Sequence, residues 1–204
     1  EEIVFDEESG KYSAKLIFEN IDEDGEYYIF ADKLGSSFSF KVDGTYYQDI
    51  YWDIVTKECE KIRSGNASLW ETYCVLYSYE RYKDVLYALK EDAPDVPDAV
   101  GSFISLTDFD SLAGTDAYVG ISILAKFGYN YKALDEALAK ECIQKAASMY
   151  KSISAISKEN SLWNDGTVSD EKNASFLALA ELYRTTATGA YSTEIVSMHD
   201  YLKS

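Results

Sequence analysis

The chain has 204 residues, 47% of them hydrophobic and 15% aromatic, and carries a formal charge of −17 from 36 acidic against 19 basic residues. That length and apolar content support one folded domain with a real core, or a small domain beside a larger one. The acidity repels polyphosphate and anionic lipid, which disfavours nucleic-acid and membrane partners, and no apolar run of about 18 residues exists to span a bilayer.

The start, EEIVFDEESG, has neither a basic n-region nor an apolar h-region, so an export signal is expected to be absent from this chain. Residues 1–42 read as β structure. EIVF, SAKLIFEN, EYYIFAD and SFSFKV are short runs rich in branched and aromatic residues, separated by ESGK, IDEDG and KLGS turn chemistry. Three or four antiparallel strands are expected. IDEDGE at 21–26 is the string nearest to a calcium loop, but it lacks the Asp-x-Asp-x-Asp-Gly pattern and reads as a hairpin turn. No cofactor is expected, and calcium has no motif to support it.

After Asp43-Gly44 the apolar period changes from two to 3.6. Tyr47, Ile50, Tyr51, Ile54, Val55, Glu58 and Ile62 predict a helix from about Thr45 to Arg63, closed by Gly65. The next segment, ASLWETYCVLYSYERYKDVLYALKED, is apolar on two sides, as a helix surrounded by others would be. The prolines between Ala93 and Asp98 then break it. Further helices are expected at about Asp110 to Phe127, Tyr131 to Ser152, Asp170 to Thr186 and Ser192 to Leu202. Leu134, Leu138, Cys142, Ala146 and Met149 mark the buried stripe of the second of these.

Cys59, Cys74 and Cys142 sit at no metal-ligand spacing and read as small buried apolar residues. The single histidine, His199, reads as a surface residue of the last helix, leaving no Cys/His nucleophilic pair. The 18 tyrosines suit either a tyrosine-rich core or the wet aromatic surfaces that bind sugars. Trp52 and Trp70 fall within helices and read as packing residues. Trp163 stands beside an Asn164-Asp165-Gly166 turn and is the candidate for stacking on a sugar face. Asn66-Ala67-Ser68 and Asn173-Ala174-Ser175 match the glycosylation acceptor pattern, both near helix starts. Asp108, Asp110 and Asp116 in TDFDSLAGTD are the nearest local cluster of carboxylates, placed where helix capping also uses them.

Several blocks resemble one enzyme family in its own order. SSFSFKVDGTYYQDIYWDIVTKECEKIRSG resembles the junction in glycoside hydrolase family 9 where an immunoglobulin-like module meets the catalytic helical barrel. VLYSYERYKDVLYALKEDAPDVPDAV looks like an early barrel helix and its Val-Pro-Asp landmark. DSLAGTDAYVGISILAKFGYNYKALDEALAKECIQKAASMY is similar to a later helix pair, and the Ser-Asp, Ala-Glu-Leu-Tyr and Thr-Gly-x-x-Tyr pattern of residues 169–191 to the helix after it.

The resemblance implies a mainly α protein: a partial (α/α) barrel of helix pairs over 44–204, preceded by a small antiparallel, immunoglobulin-like module over 1–43. It further implies a secreted protein of plant-polysaccharide degradation whose partners are a β-1,4-glucan and other modules of a larger enzyme. The family's inverting mechanism uses one carboxylate to activate water and another carboxylic acid to protonate the leaving oxygen. The Asp-x-Gly-Asp motif of the base and the late Glu of the acid have no counterpart in these residues. The chain alone is therefore expected to be inactive, with Asp108, Asp110 and Asp116 as the candidate carboxylates. A non-catalytic carbohydrate-binding module and a helical scaffold for a protein partner are the alternatives.

Overall fold

The computed structural model describes residues 2–6, 11–15, 23–32, 35–44, 46–84, 94–159 and 170–198. Trp163 and His199 lie outside them. The chain divides into two compact units, Glu1–Ile50 and Tyr51–Ser204. The protein is mainly helical, with a small antiparallel β region at its start.

The first unit holds six short strands: β1 (Glu2–Asp6), β2 (Lys11–Lys15), β3 (Gly25–Tyr27), β4 (Phe30–Ala31), β5 (Gly35–Ser36) and β6 (Phe40–Val42). They form three two-stranded ladders, β1 with β2, β3 with β6, and β4 with β5 as a hairpin nested inside the β3–β6 pair. Residues 21 and 22 of the IDEDG stretch lie outside the described residues; its Asp24 Oδ1 accepts the Gly44 amide at 2.8 Å. None of the described residues from 23 to 44 is buried, and Phe38 is 97% exposed. Two-stranded ribbons of this length bury too little apolar area to form a core of their own.

The second unit owes its order to helix ends that the sequence supplies. Helix α1 (Tyr46–Arg63) stops in a paired-bond motif in which Gly65 N–H donates to Ile62 C=O at 3.1 Å and Asn66 N–H to Lys61 C=O at 2.9 Å. Gly65 has φ +71°, a conformation open to glycine at little steric cost. Helix α2 (Leu69–Tyr82) opens with a reciprocal cap: Ser68 Oγ accepts the Glu71 amide at 3.2 Å, and Glu71 Oε2 accepts the Ser68 amide at 2.7 Å.

Helix α3 (Val96–Leu106) was not expected, because Pro94 and Pro97 read as a break. Here Asp95 caps the helix, accepting the Asp98 amide at 2.9 Å, and Pro97 sits in the first turn, where its missing donor costs nothing. A 3-10 turn at Phe109–Ser111 leads to α4 (Gly114–Tyr131), α5 (Glu136–Glu159), α6 (Asp170–Thr186) and α7 (Gly189–Ser197). Helix α6 ends in a left-handed residue as expected of a helix stop, but Ala187 (φ 53°) takes that place, ahead of Gly189.

Two expected apolar faces are corrected. In α1 the buried stripe is Trp52, Val55, Cys59 and Ile62, whereas Ile50 and Ile54 are exposed. Positions 52, 55, 59 and 62 keep the same helical spacing but lie on a face rotated from the one read through Ile50 and Ile54. Helix α2 is not enclosed: Thr72, Tyr73, Val75 and Leu76 are buried, while Trp70, Tyr77 and Tyr82 are exposed. The helix enclosed on all sides is α4, buried without interruption from Ala117 to Gly128. In α5 the expected stripe of Cys142, Ala146 and Met149 is buried, with Leu138 half-buried; Leu134 precedes the helix and is exposed.

Helices α2, α4 and α6 pack side by side as one row. Helix α3 lies against α2 and α4, α5 against α4 and α6, and α7 against α6. Each of these later odd-numbered helices thus covers the even-numbered helices that flank it in sequence. Among the described residues, no helix is long and apolar enough to cross a membrane.

Candidate functional site

The even-numbered row carries a charged cluster. Lys126 of α4 is 2% exposed, and its ammonium lies 2.5 Å from Glu80 Oε2 of α2 and 2.9 Å from Glu181 Oε1 of α6. Arg184, one turn after Glu181, reaches Glu181 Oε2 at 2.6 Å and also meets Glu80. Tyr73 donates its hydroxyl to Glu181 Oε1 at 2.8 Å. Burial first, and then the Glu181 charge, push the Tyr73 phenol well above its ordinary pKa, which keeps it a donor.

The cations also meet aromatic faces. Lys126 Nζ lies 4.9 Å from the Tyr77 ring centre and 5.5 Å from that of Tyr73, and the Arg184 guanidinium lies 4.3 Å from the Tyr129 ring. Two carboxylates, one ammonium and one guanidinium balance in charge, the condition under which such groups tolerate burial. Burial also holds the Arg184 pKa below its usual value.

Beside the cluster, α2 presents an aromatic stripe. Trp70, Tyr73 and Tyr77 stand at helical spacing, with ring centres 6.2 Å apart for the first pair and 6.4 Å for the second. Trp70 is 45% exposed and Tyr77 50%, so the expectation of Trp70 as a packing residue is corrected; Trp52, by contrast, is 3% exposed. Position 70 lies on the α2 edge away from the buried Val75 and Leu76, which is why helical context alone did not bury it.

No protein-family model matches the chain, and no curated protein or solved structure is significantly similar to it.

Of the expected carboxylates, Asp108 and Asp110 line one cavity of about 280 Å3 with Thr107, Glu141, Cys142 and Lys145. Both are committed locally. Asp108 caps the 3-10 turn, accepting the Asp110 amide at 3.2 Å, and Asp110 Oδ2 lies 2.5 Å from Lys145. Asp116 is exposed in the first turn of α4, outside that cavity, where a negative charge suits the helix dipole. Asn66 is exposed just before α2, and Asn173 is exposed in the first turns of α6. No group of His, Cys, Asp and Glu able to hold a metal occurs among the described residues.

The cysteines split. Cys59 and Cys142 are buried, and burial pushes both thiols up to about 11, whereas Cys74 is exposed, against the expectation that all three are buried. The thiolate is the reactive form. A disulfide-exchange reagent should therefore label one thiol per native chain at neutral pH and three after unfolding. Rapid labelling of more than one native thiol would show that α1 or α5 opens readily.

Chemically, the charged cluster does not supply the acid and base of an inverting hydrolase. Two oxygens at 2.5 and 2.9 Å from the same ammonium lie closer together than the ~6.5–9.5 Å that leaves room for the attacking water. The cluster joins three helices, and the rings of Trp70 and Tyr77 beside it are exposed.

Proposed function

We propose that the chain is a helical body of the glycoside hydrolase family 9 kind that binds a β-1,4-glucan through the α2 aromatic stripe and does not hydrolyse it alone. A row of α2, α4 and α6 with α3, α5 and α7 against it is compatible with part of an (α/α) barrel, and the β strands precede the helices in sequence, the order in which that family carries its immunoglobulin-like module. The observation that carries the binding reading is the exposure of Trp70 and Tyr77 on one helix face, with the buried Tyr73 between them in sequence. Pyranose rings present apolar C–H faces that stack on such rings, and spaced aromatics can follow successive sugars.

Native electrophoresis through a gel containing soluble mixed-linkage β-glucan tests this. The wild-type chain should be retarded relative to a glucan-free gel, and Trp70→Ala should run at nearly the glucan-free position. Unretarded wild type would overturn the binding reading and leave a scaffold for a protein partner. Reducing sugar released by the purified chain would overturn the claim of inactivity.

A further inference from the structure

We propose a second ligand site, distinct from the aromatic stripe, in the cavity among α4, α5 and α6, and assign it a singly charged acidic sugar of the uronic acid class. The cavity measures about 330 Å3, within the ~300–1,000 Å3 typical of small-molecule sites. Ala139 and Ile143 give it apolar lining, and Tyr129, Lys132, Glu136, Lys140, Gln144 and Thr185 are its polar side chains, of which Thr185 already donates to the Ala125 carbonyl.

Two observations select the ligand. In a chain of net charge −17, two lysines converge on one concavity, while Lys41, Lys61, Lys126 and Lys145 each hold a carboxylate elsewhere. The Tyr129 ring is fixed from one side by the Arg184 guanidinium and remains 46% exposed, which offers a positioned surface for a sugar ring. The ammoniums suit one carboxylate, while Glu136 and Gln144 suit hydroxyl groups. A multiply charged ligand such as a phosphate ester fits worse. Glu136 in the same lining would repel each added negative charge. A neutral sugar leaves both ammoniums unused.

The site is argued from its own residues and does not depend on glucan binding by Trp70. Saturation-transfer NMR and titration calorimetry on the full chain, with D-glucuronate, D-glucose, acetate and inorganic phosphate as separate probes, test it. Glucuronate should bind in preference to the other three. The double variant Lys132→Met/Lys140→Met should bind it roughly tenfold or more weakly, from the loss of charge-assisted hydrogen bonds. Tyr129→Ala should weaken it as well, whereas Trp70→Ala should not. Circular dichroism on each variant confirms that the helices are retained.

Absent binding of glucuronate, or glucose binding equally well, overturns the assignment. So does equal binding of acetate or phosphate, which would mark a nonspecific anion site, and so does full affinity in a folded double lysine variant. Loss of glucuronate binding in Trp70→Ala would place the sugar on the stripe.

Discussion

Lys126→Met should lower the stability of the chain by about 3–5 kcal/mol, the cost of leaving a buried charge without its partner. At this chain size that corresponds to a fall in Tm of roughly 6–20 °C. Methionine keeps most of the lysine stem, so packing inside α4 changes little and the effect isolates the charge. Without the ammonium, Glu80 and Glu181 still meet Arg184, but one cation on α6 then faces two carboxylates, one on α2 and one on α6. Tyr73 adds a hydrogen bond to Glu181 but no positive charge.

The companion variant Lys126→Met/Glu181→Gln separates the causes. It restores charge balance, with Arg184 against Glu80, and should recover at least half of the lost stability in urea unfolding. A single variant as stable as the wild type would mean that desolvation of Lys126 already cancels its attraction to the two carboxylates. A double variant no better than the single would assign the loss to packing around position 126.

That cluster marks where sequence reading ends. Lys126 and Glu80 are 46 residues apart, and Tyr73 and Glu181 are 108 apart, so no local motif announces the contact. The lysine inside GISILAKFGY is a signal the sequence reading did not use: a charge within an apolar helix needs a partner. Local chemistry was legible where it governs itself. The bounds of α6 follow from its acidic first turn and apolar spacing, and the end of α1 follows from Gly65. It failed where two local rules compete. Pro97 reads as a breaker after ALKED, yet with Asp95 as the cap the same residue starts α3. In α1 and α2 the surplus of tyrosines blurs the apolar face, because tyrosine is compatible with both core and water; the neighbouring helices decide which rings, such as Tyr73 or Tyr77, are covered.

Gly128→Ala should destabilise the chain by about 1–3 kcal/mol, although alanine is the better helix former by about 1 kcal/mol. A methyl group at position 128 would stand 2.6 Å from Ile143 Cγ1 and 2.8 Å from the Ala139 carbonyl oxygen, both on α5. The side chain can turn away, but the carbonyl belongs to the α5 backbone and moves only with its helix. Sterics therefore outweigh propensity. Gly120→Ala meets Leu112 Cδ1, the far end of a flexible side chain, at 2.8 Å and the buried Phe109 ring at 3.1 Å but no backbone of another helix, and should cost less; Gly189→Ala meets nothing within 4 Å and should be neutral or slightly stabilising. Thermal unfolding of the three variants should rank them in that order. Adding Ile143→Ala to Gly128→Ala removes the 2.6 Å clash but not the one with the Ala139 carbonyl, and it opens a cavity of its own, so it should not restore the wild-type Tm. Equal stability of Gly128→Ala and Gly189→Ala would mean that α5 yields by a few tenths of an ångström, and that the approach of α4 and α5 at this glycine is not fixed by close packing.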